Sequence, residues 1–234
     1  MPGFPATRHS VIERMRTADE GARGQAFGDL VHGYWKPLHR YLCLHWHLSE
    51  DEAEEATQAF FTHAFQKEWL ARDNPEKARF RTFLRVCADR FVLNRRQAAA
   101  RIKRGGGVET VSLEAEGELA AELASQPDAE SLFKREFVRA LFERALHDLR
   151  TECEHADKGL HFVLFERYDI EPADDVSYAA LAREFGLTQA QVTNNLAQIR
   201  RRFRECAIDA LRSLCASDYE FRREAAELFG VDPT

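Results

Sequence analysis

The sequence predicts an all-α fold of two helical lobes joined by an acidic linker. Between Tyr34 and Arg104 there is no glycine, and the only prolines are Pro37 and Pro75, a composition that favours long helices. No stretch of useful length alternates apolar and polar residues as a half-buried strand would. The chain has 234 residues, of which 44% are hydrophobic. It can therefore bury a core in one large domain or two small ones.

Three helices are predicted in the first lobe, and Asn74 and Pro75 mark the break before the third. Pro37 suits the first turn of the first helix, and Ser49 followed by Glu52 has the form of a capping box that opens the second. The second helix has an apolar side made of Ala53, Ala56, Phe60, Phe61, Ala64 and Phe65. The third has an apolar side at helical spacing, made of Phe80, Phe83, Leu84, Cys87, Phe91 and Leu93 or Asn94. We expect the basic residues of the third helix to lie on its other faces.

Composition and periodicity divide the chain into five segments. Gly105, Gly106 and Gly107 end the first lobe, and the acidic stretch after them has only weak periodicity. The second lobe has a buried stripe at helical spacing, formed by Phe133, Phe137, Leu141, Phe142, Ala145 and Leu149. The segments are an N-terminal extension (1–33), a first domain (34–104), a linker (105–130), a second domain (131–215) and a C-terminal extension (216–234). The last segment has one more amphipathic helix, which either packs on the second lobe or binds a regulator.

Charge is strongly segregated along the chain. Nine basic residues and a single acid lie between Arg79 and Arg104, and four arginines without an acid lie between Gln198 and Arg204. The acids are concentrated in Glu50–Glu55 and in Glu109–Glu130. Binding to a polyanion depends on local potential, because charges are screened within about 8–10 Å. The net charge of −6 therefore does not exclude a nucleic-acid partner, although any single charge run can equally be a solvated helix face.

The most specific local pattern lies between Ser177 and Arg204. Ser177 suits the N-cap of a short helix, Gly186 a tight turn, and Thr188 the N-cap of a second helix. The second helix has one continuous apolar face, made of Val192, Leu196, Ile199 and Phe203. This spacing is typical of a helix-turn-helix, whose second helix enters the major groove of DNA.

The opposite face of this second helix is rich in amides and arginine. Its residues are Gln189, Gln191, Thr193, Asn194, Asn195, Gln198, Arg201 and Arg202. Asn and Gln bond bidentately to adenine in the major groove, and Arg bonds to guanine or to phosphate. We therefore expect this face to contact DNA. The alternative is an ordinary helical hairpin with a polar surface.

A second pattern lies in the first lobe, where an acidic helix precedes a basic aromatic one. The acidic run is Glu52-Ala53-Glu54-Glu55-Ala56-Thr57-Gln58-Ala59-Phe60-Phe61. The basic helix has Phe80-Arg81-Thr82-Phe83-Leu84, then Val86-Cys87-Ala88, and ends in Arg95 and Arg96. An acidic helix, a basic helix, a linker and a helix-turn-helix in this order resemble a bacterial RNA polymerase sigma factor of the two-domain extracytoplasmic-function type. The resemblance covers about Tyr34 to Leu214.

The resemblance implies a promoter-specificity subunit whose partners are core RNA polymerase and promoter DNA, with no cofactor. It places Glu52, Glu55 and Gln58 on the surface that docks on the polymerase clamp. It assigns the minus-ten element and its melted non-template strand to Arg79, Arg81, Phe83, Arg85, Arg90, Arg95 and Arg96. Arginines bind phosphate, and aromatic and guanidinium planes stack on exposed bases. The helix from Thr188 corresponds to the reader of the minus-thirty-five element, and the acidic linker to linkers that thread towards the RNA exit path.

One feature of the acidic helix suggests regulation. Glu55-Ala56-Thr57-Gln58, with Phe60-Phe61 and Lys103-Arg104-Gly105-Gly106-Gly107, is similar to a subgroup linked to Ser/Thr protein kinases rather than to anti-sigma factors. Our hypothesis is that phosphorylation of Thr57 adds about −1.5 to −2 charges and strengthens docking on the clamp. The alternative is a neutral surface or capping threonine. A Ser/Thr kinase or an anti-sigma factor is therefore a further candidate partner.

The sequence does not support other classes of protein. No apolar run approaches the roughly 20 residues that span a bilayer, and Met1–Asp19 lacks the apolar core of a secretory signal. Five cysteines without C-x-x-C spacing are typical of free thiols in a reducing cytoplasm. The candidate metal ligands of the first lobe lack closed four-ligand spacing; they are His39, Cys43, His45, His47 and His63. Without a phosphate loop or a nucleophile elbow, we predict neither an enzyme nor a metal protein.

Two rival functions stay open at this point. One is a stand-alone helix-turn-helix transcription regulator that never joins the polymerase. The other is a degenerate sigma-like protein that acts as an interaction module or sequesters a partner.

Overall fold

The computed structural model describes residues 19–67, 79–103, 127–172, 176–215 and 217–231. All regular elements in these ranges are helices and none is a strand, so the predicted all-α class is confirmed for the described chain. None of the described helices combines the length and the apolar character that crossing a bilayer demands. Residues 1–18, the predicted break at Asn74 and Pro75, and residues 105–126 of the predicted linker lie outside the described ranges.

Eight α-helices are described. In chain order they are α1 (Glu20–Trp46), α2 (Glu50–Lys67), α3 (Phe80–Lys103), α4 (Pro127–His155), α5 (Gly159–Phe165), α6 (Tyr178–Glu184), α7 (Gln189–Leu214) and α8 (Asp218–Phe229). A π-helical turn, Glu166–Ile170, follows α5 directly. The chain forms two compact units: the first runs to Ala140 and resumes at Ser213, and the second is Leu141–Arg212.

These units differ from the predicted domains. The first half of α4 belongs to the first unit because its aromatic residues pack there. The Phe133 ring meets the Tyr41 ring at 5.3 Å, and the Phe137 ring stacks on Tyr34 at 5.2 Å. Helix α8 also belongs to the first unit, with Phe221 buried. The boundary predicted at residue 131 therefore falls inside a helix, and the C-terminal extension joins the first unit instead of the second lobe.

Helix α1 begins well before the predicted start at Pro37. Asp19 is its N-cap, and Asp19 Oδ1 accepts a hydrogen bond of 2.9 Å from the Gly21 N–H. Ala26 and Leu30, both upstream of the proline, are buried. Pro37 therefore lies inside α1, and the prediction that it occupies the first turn was wrong. The glycines of α1 upstream of Pro37 are poor helix formers. For that reason the sequence did not indicate the first half of α1, and most of it was assigned to the predicted N-terminal extension (1–33).

Helix α2 begins as the sequence predicts. The Ser49 N–H donates to Glu52 Oε2 at 2.9 Å, and the Glu52 N–H donates to Ser49 Oγ at 3.3 Å. This reciprocal pattern is a capping box. Most of the predicted apolar side is buried, namely Ala53, Ala56, Phe60, Phe61 and Ala64. Phe65 is the exception: it is exposed, with its ring 4.9 Å from that of Phe27.

Gly33 gives a direct test of packing in the first unit. A Cβ added at Gly33 would collide with the buried side chain of Leu214, so Gly33→Ala is expected to lower the free energy of unfolding by about 1–3 kcal/mol. Gly24→Ala and Gly28→Ala are matched controls in the same helix, because no described atom lies within 4 Å of an added Cβ. These two variants are expected to gain about 0.5–1 kcal/mol of stability. Urea unfolding followed by circular dichroism measures all three, and equal responses would contradict the close approach of Gly33 to Leu214.

Candidate nucleic-acid interface

Helices α6 and α7 begin at the caps that the sequence predicts. Ser177 Oγ accepts a hydrogen bond of 3.1 Å from the Ala180 N–H. Gly186 adopts a φ of +65° in the turn, a conformation that glycine takes without steric cost. The Thr188 N–H donates to Gln191 Oε1 at 2.8 Å, and the Gln191 N–H donates to Thr188 Oγ1 at 3.2 Å. Local side chains therefore determine where both helices start.

The predicted apolar face of α7 lies in the core of the second unit. Its fully buried residues are Val192, Leu196 and Ile199. Phe203 is half-buried, with its ring 5.7 Å from that of Phe142 and 5.5 Å from that of Phe165. Burial of this face fixes the rotation of α7 about its axis, so the opposite face is turned towards solvent.

Most of the α7 residues that the sequence predicted to contact DNA lie on its solvent-facing side. Six of these residues are exposed, namely Gln189, Gln191, Thr193, Asn194, Gln198 and Arg201. The other two, Asn195 and Arg202, are half-buried. The Gln191 side-chain oxygen is occupied by the cap, and the Thr193 hydroxyl donates to the Gln189 main-chain oxygen at 2.9 Å. That leaves Gln189, Asn194, Gln198 and Arg201 as the main candidates for contact with base edges or phosphate.

Two arginines of α7 are held in ion pairs within the second unit. Arg202 binds both oxygens of Glu152 at 2.6 Å and also contacts Glu205 at 2.7 Å. Arg200 binds both oxygens of Asp169 at 2.9 Å. Hydrogen bonds to these carboxylates raise the pKa of both guanidinium groups. The negative charges of the carboxylates also cancel part of the positive charge of α7. DNA contact by Arg202, as predicted, would require its pair with Glu152 to open.

The basic residues of α3 fall into two groups. Arg81 and Arg85 are 1% and 0% exposed, and Arg79 is half-buried. Arg95 and Arg96 are exposed, whereas the other predicted contacts on this helix, Phe83 and Arg90, are half-buried. The prediction that the basic residues lie outside the buried face was therefore wrong for Arg81 and Arg85.

Two carboxylates explain why Arg81 and Arg85 are buried. Arg85 lies between Asp89, one turn further along α3, and Glu130 of α4, with N···O distances of 2.8 and 3.0 Å. Arg81 Nη1 donates to the same Glu130 at 2.9 Å. Ion pairs of this kind are what a buried guanidinium needs, and DNA contact by Arg81 or Arg85 would require them to open. Asp89 was recognisable in the sequence as the single acid in the basic helix, but its partner Glu130 was not.

The exposed part of α3 is centred on Arg95 and Arg96. Arg95 pairs with Glu55 of α2 at 2.7 Å. Arg96 donates to the Trp46 main-chain oxygen at 2.7 Å, and its guanidinium lies 4.9 Å from the centre of the Trp46 ring. Guanidinium and indole planes are surfaces on which unpaired bases stack. Trp46 therefore joins this surface, although it is not among the residues that the sequence predicted to contact DNA.

The predicted polymerase-binding residues of α2 are exposed: Glu52, Glu55 and Gln58. Hydrogen bonds from the Ser49 main chain and side chain lower the pKa of Glu52, which therefore has a structural role in the cap. Glu55 is paired with Arg95. An acidic surface with its charges exposed in this way is suited to meet a basic partner.

Thr57 does not lie on this surface. It is 0% exposed, and its hydroxyl has no hydrogen-bond partner among the described residues. The reason is helical spacing: Thr57 comes four residues after Ala53 and four before Phe61, both of which are buried. The predicted phosphorylation site is thus inaccessible in this conformation, and Thr57 is neither a surface nor a capping threonine.

His39, Cys43 and Glu50 come together at the start of α2. Their ligand atoms lie within 4.8 Å of one another, and His39 Nε2 is 3.5 Å from Glu50 Oε2. Three ligands do not close a structural zinc site. Burial raises the pKa of the Cys43 thiol, and Lys36 and Arg40 line the same surface depression. Because both features oppose binding of a cation, we assign no metal to this group.

Comparison with protein-family models, with curated proteins and with solved structures gave no match. The candidate interface is therefore defined by its own geometry. It consists of the exposed amide and arginine face of α7 in the second unit and, in the first unit, of the exposed end of α3. Both surfaces combine guanidinium groups, which bind phosphate, with planar or amide side chains, which contact bases.

Proposed function

We propose that this chain is a promoter-specificity subunit of bacterial RNA polymerase, of the extracytoplasmic-function sigma type, and acts in the cytoplasm. One observation carries the proposal. Helix α7 buries a continuous apolar face and exposes Gln189, Asn194, Gln198 and Arg201 on the other side. A helix held in this way presents amide and guanidinium groups to the base edges of a major groove. The order of acidic helix, basic helix and helix-turn-helix supports the same function.

In this proposal each surface binds a different part of the transcription complex. Helix α7 binds the minus-thirty-five element, and Arg90, Arg95 and Arg96 of α3 bind the melted minus-ten strand through phosphate and stacking contacts. The acidic face of α2, with Glu55 and Gln58, docks on the clamp of the polymerase. The protein itself catalyses no reaction. A Ser/Thr kinase or an anti-sigma factor is the class of regulator that the family resemblance suggests.

One observation favours a different assignment. Arg81 and Arg85 are buried in ion pairs, which removes them from the surface that would bind the minus-ten strand. A stand-alone helix-turn-helix regulator would need only α7 to contact DNA. A degenerate sigma-like protein would dock on polymerase through α2 and melt no promoter.

Reconstituted transcription distinguishes the three functions. The purified chain is mixed with core RNA polymerase, resolved by gel filtration, and supplied with a template that contains the promoter upstream of its own gene. We expect the chain to co-elute with core polymerase and to yield a run-off transcript that core polymerase alone does not produce. A stand-alone regulator would not co-elute. A degenerate sigma-like protein would co-elute without producing the transcript.

A further inference from the structure

Helix α8 turns three carboxylates towards the start of α3. Glu220, Glu224 and Glu227 follow one another at steps of four and three residues, which places them on one helix face. Glu220 and Glu224 are buried, and Glu227 is half-buried. Glu220 Oε1 accepts a hydrogen bond of 2.6 Å from the main-chain N–H of Phe80, the first residue of α3. Glutamates are rarely buried unless they are paired, so this face of α8 is suited to meet positive charge.

Its partners include two arginines that the family resemblance assigns to promoter DNA, together with Lys134 of α4, which lies 2.8 Å from Glu227 Oε1. Glu224 lies 3.2 Å from Arg79 Nε and 3.4 Å from Arg81 Nε. Glu227 pairs with Arg79 and lies 3.7 Å from Arg81 Nη2. Arginine binds carboxylate and phosphate through the same N–H donors. A guanidinium held by these glutamates therefore cannot bind a DNA phosphate at the same time.

The contact between α8 and α3 is suited to opening. Both distances from Glu224 to the arginines exceed the about 2.7–2.9 Å of a strong charge-assisted hydrogen bond. Burial raises the pKa of Glu224 in spite of the nearby Arg81 and Arg79 charges, because the pairs do not fully offset the cost of removing the carboxylate from water. The fully buried apolar residues of α8 are only Phe221 and Ala225. The apolar contact of this 12-residue helix is therefore small, and much of what holds it in place is polar: the ion pairs and the Glu220 hydrogen bond to Phe80.

We propose that α8 is an autoinhibitory clasp that holds Arg79 and Arg81 in ion pairs and withholds Arg79 from single-stranded promoter DNA until it is displaced. The inference rests on the proposed function, because it concerns the same end of α3. It explains why Arg79, at the start of α3, is half-buried in the free chain. It also predicts that release of α8 adds one phosphate contact, from Arg79, because Arg81 keeps its pair with Glu130 at 2.9 Å.

Binding of a fluorescein-labelled oligothymidine to the full chain, measured by anisotropy over a range of salt concentrations, tests the clasp. Glu224→Gln with Glu227→Gln removes the two carboxylates and keeps the apolar face of α8, which a truncation would not. The matched control, Asp29→Asn with Glu54→Gln, removes the same charge at exposed positions outside α8. We expect the glutamine variant to bind at least about tenfold tighter, and the log–log salt slope to steepen by about 0.7 for one added phosphate. The control is expected to stay within about twofold of wild type, because exposed charges that are not paired with Arg79 are screened by solvent.

A further substitution separates release of the arginines from a general charge effect. Adding Arg79→Ala to the glutamine variant is expected to abolish the added salt slope. The single substitution Glu227→Gln removes one of the two carboxylates and is expected to give part of the increase in affinity for oligothymidine. Circular dichroism verifies that each variant is folded.

Two results would overturn the clasp: an unchanged affinity in the folded glutamine variants, or an equal gain in the control. Neither result bears on the proposed function if the chain still yields a promoter-dependent transcript with core polymerase. Conversely, a chain that binds oligothymidine more tightly after the glutamine substitutions but never yields a transcript would support the clasp. The sigma-factor assignment alone would then fail.

Discussion

Asp89→Ala is expected to lower the free energy of unfolding of the first unit by about 3–5 kcal/mol. Asp89 is fully buried, and its Oδ1 accepts hydrogen bonds of 2.8 Å from Tyr41 Oη and from Trp46 Nε1. Its other oxygen pairs with Arg85 Nη1 at 2.8 Å. Alanine would leave the Arg85 guanidinium buried without Asp89, next to Glu130 at 3.0 Å. Urea unfolding followed by circular dichroism measures the loss.

A double-mutant cycle separates the ion pair from the rest of the site. Asp89→Leu combined with Arg85→Met is expected to be more stable than Asp89→Leu alone, because no uncompensated charge stays buried. Asp29→Ala, at an exposed position of α1, is the control and is expected to change stability by less than about 0.5 kcal/mol. If the double variant lost as much stability as Asp89→Leu and Arg85→Met together, Asp89 and Arg85 would not be coupled.

Features that depend on residues three or four apart could be predicted from the sequence. The caps at Ser49, Ser177 and Thr188 are present because each hydroxyl binds a main-chain N–H of the following turn. The buried face of α7 follows for the same reason, since helical periodicity alone places Val192 and Leu196 on one side. These interactions are local, so the sequence contains nearly all of the information that determines them.

The placement of Arg81 and Arg85 could not be predicted, because it depends on which elements cover α3. Ala88 and Val92 continue the same buried stripe at helical spacing, so α3 has a second buried face. That face is covered in part by α4 through Glu130 and by α8 through Glu224. No periodicity within α3 indicates that helices distant in sequence supply carboxylates there. A charge count along the chain therefore overestimated the positive surface of the first unit.

Thr57 is a different case, because the signal was present and was given too little weight. Ala53, Ala56, Phe60, Phe61 and Ala64 define a buried stripe on α2. Thr57 lies within that stripe by spacing alone. The chemistry of a phosphorylatable hydroxyl had favoured a surface position. Periodicity is the more reliable guide here, because rotation of the helix is fixed by several apolar side chains and not by one polar group.

Replacing Asn194 and Gln198 together by alanine is expected to reduce promoter-dependent transcription by at least about thirtyfold. Each bidentate contact between an amide and adenine contributes about 1–3 kcal/mol of discrimination. Both side chains are exposed on α7, and alanine is a better helix former than either, so folding should be unaffected. Run-off transcription with core polymerase measures the effect, and circular dichroism verifies the fold.

Arg201→Ala is expected to give a contrasting result, because an exposed arginine at this position reaches phosphate as readily as guanine. It should weaken binding to all duplex sequences alike and reduce the salt slope by about 0.9. Arg135→Ala, which removes an equally charged and 70% exposed side chain of α4, should change neither quantity.

The ratio of specific to non-specific affinity decides between reading of sequence and contact with the backbone. If Asn194 and Gln198 read bases, their loss lowers this ratio while the salt slope stays constant. A fall in both affinities together would mean that the amide face of α7 binds only the DNA backbone, and the minus-thirty-five assignment would fail.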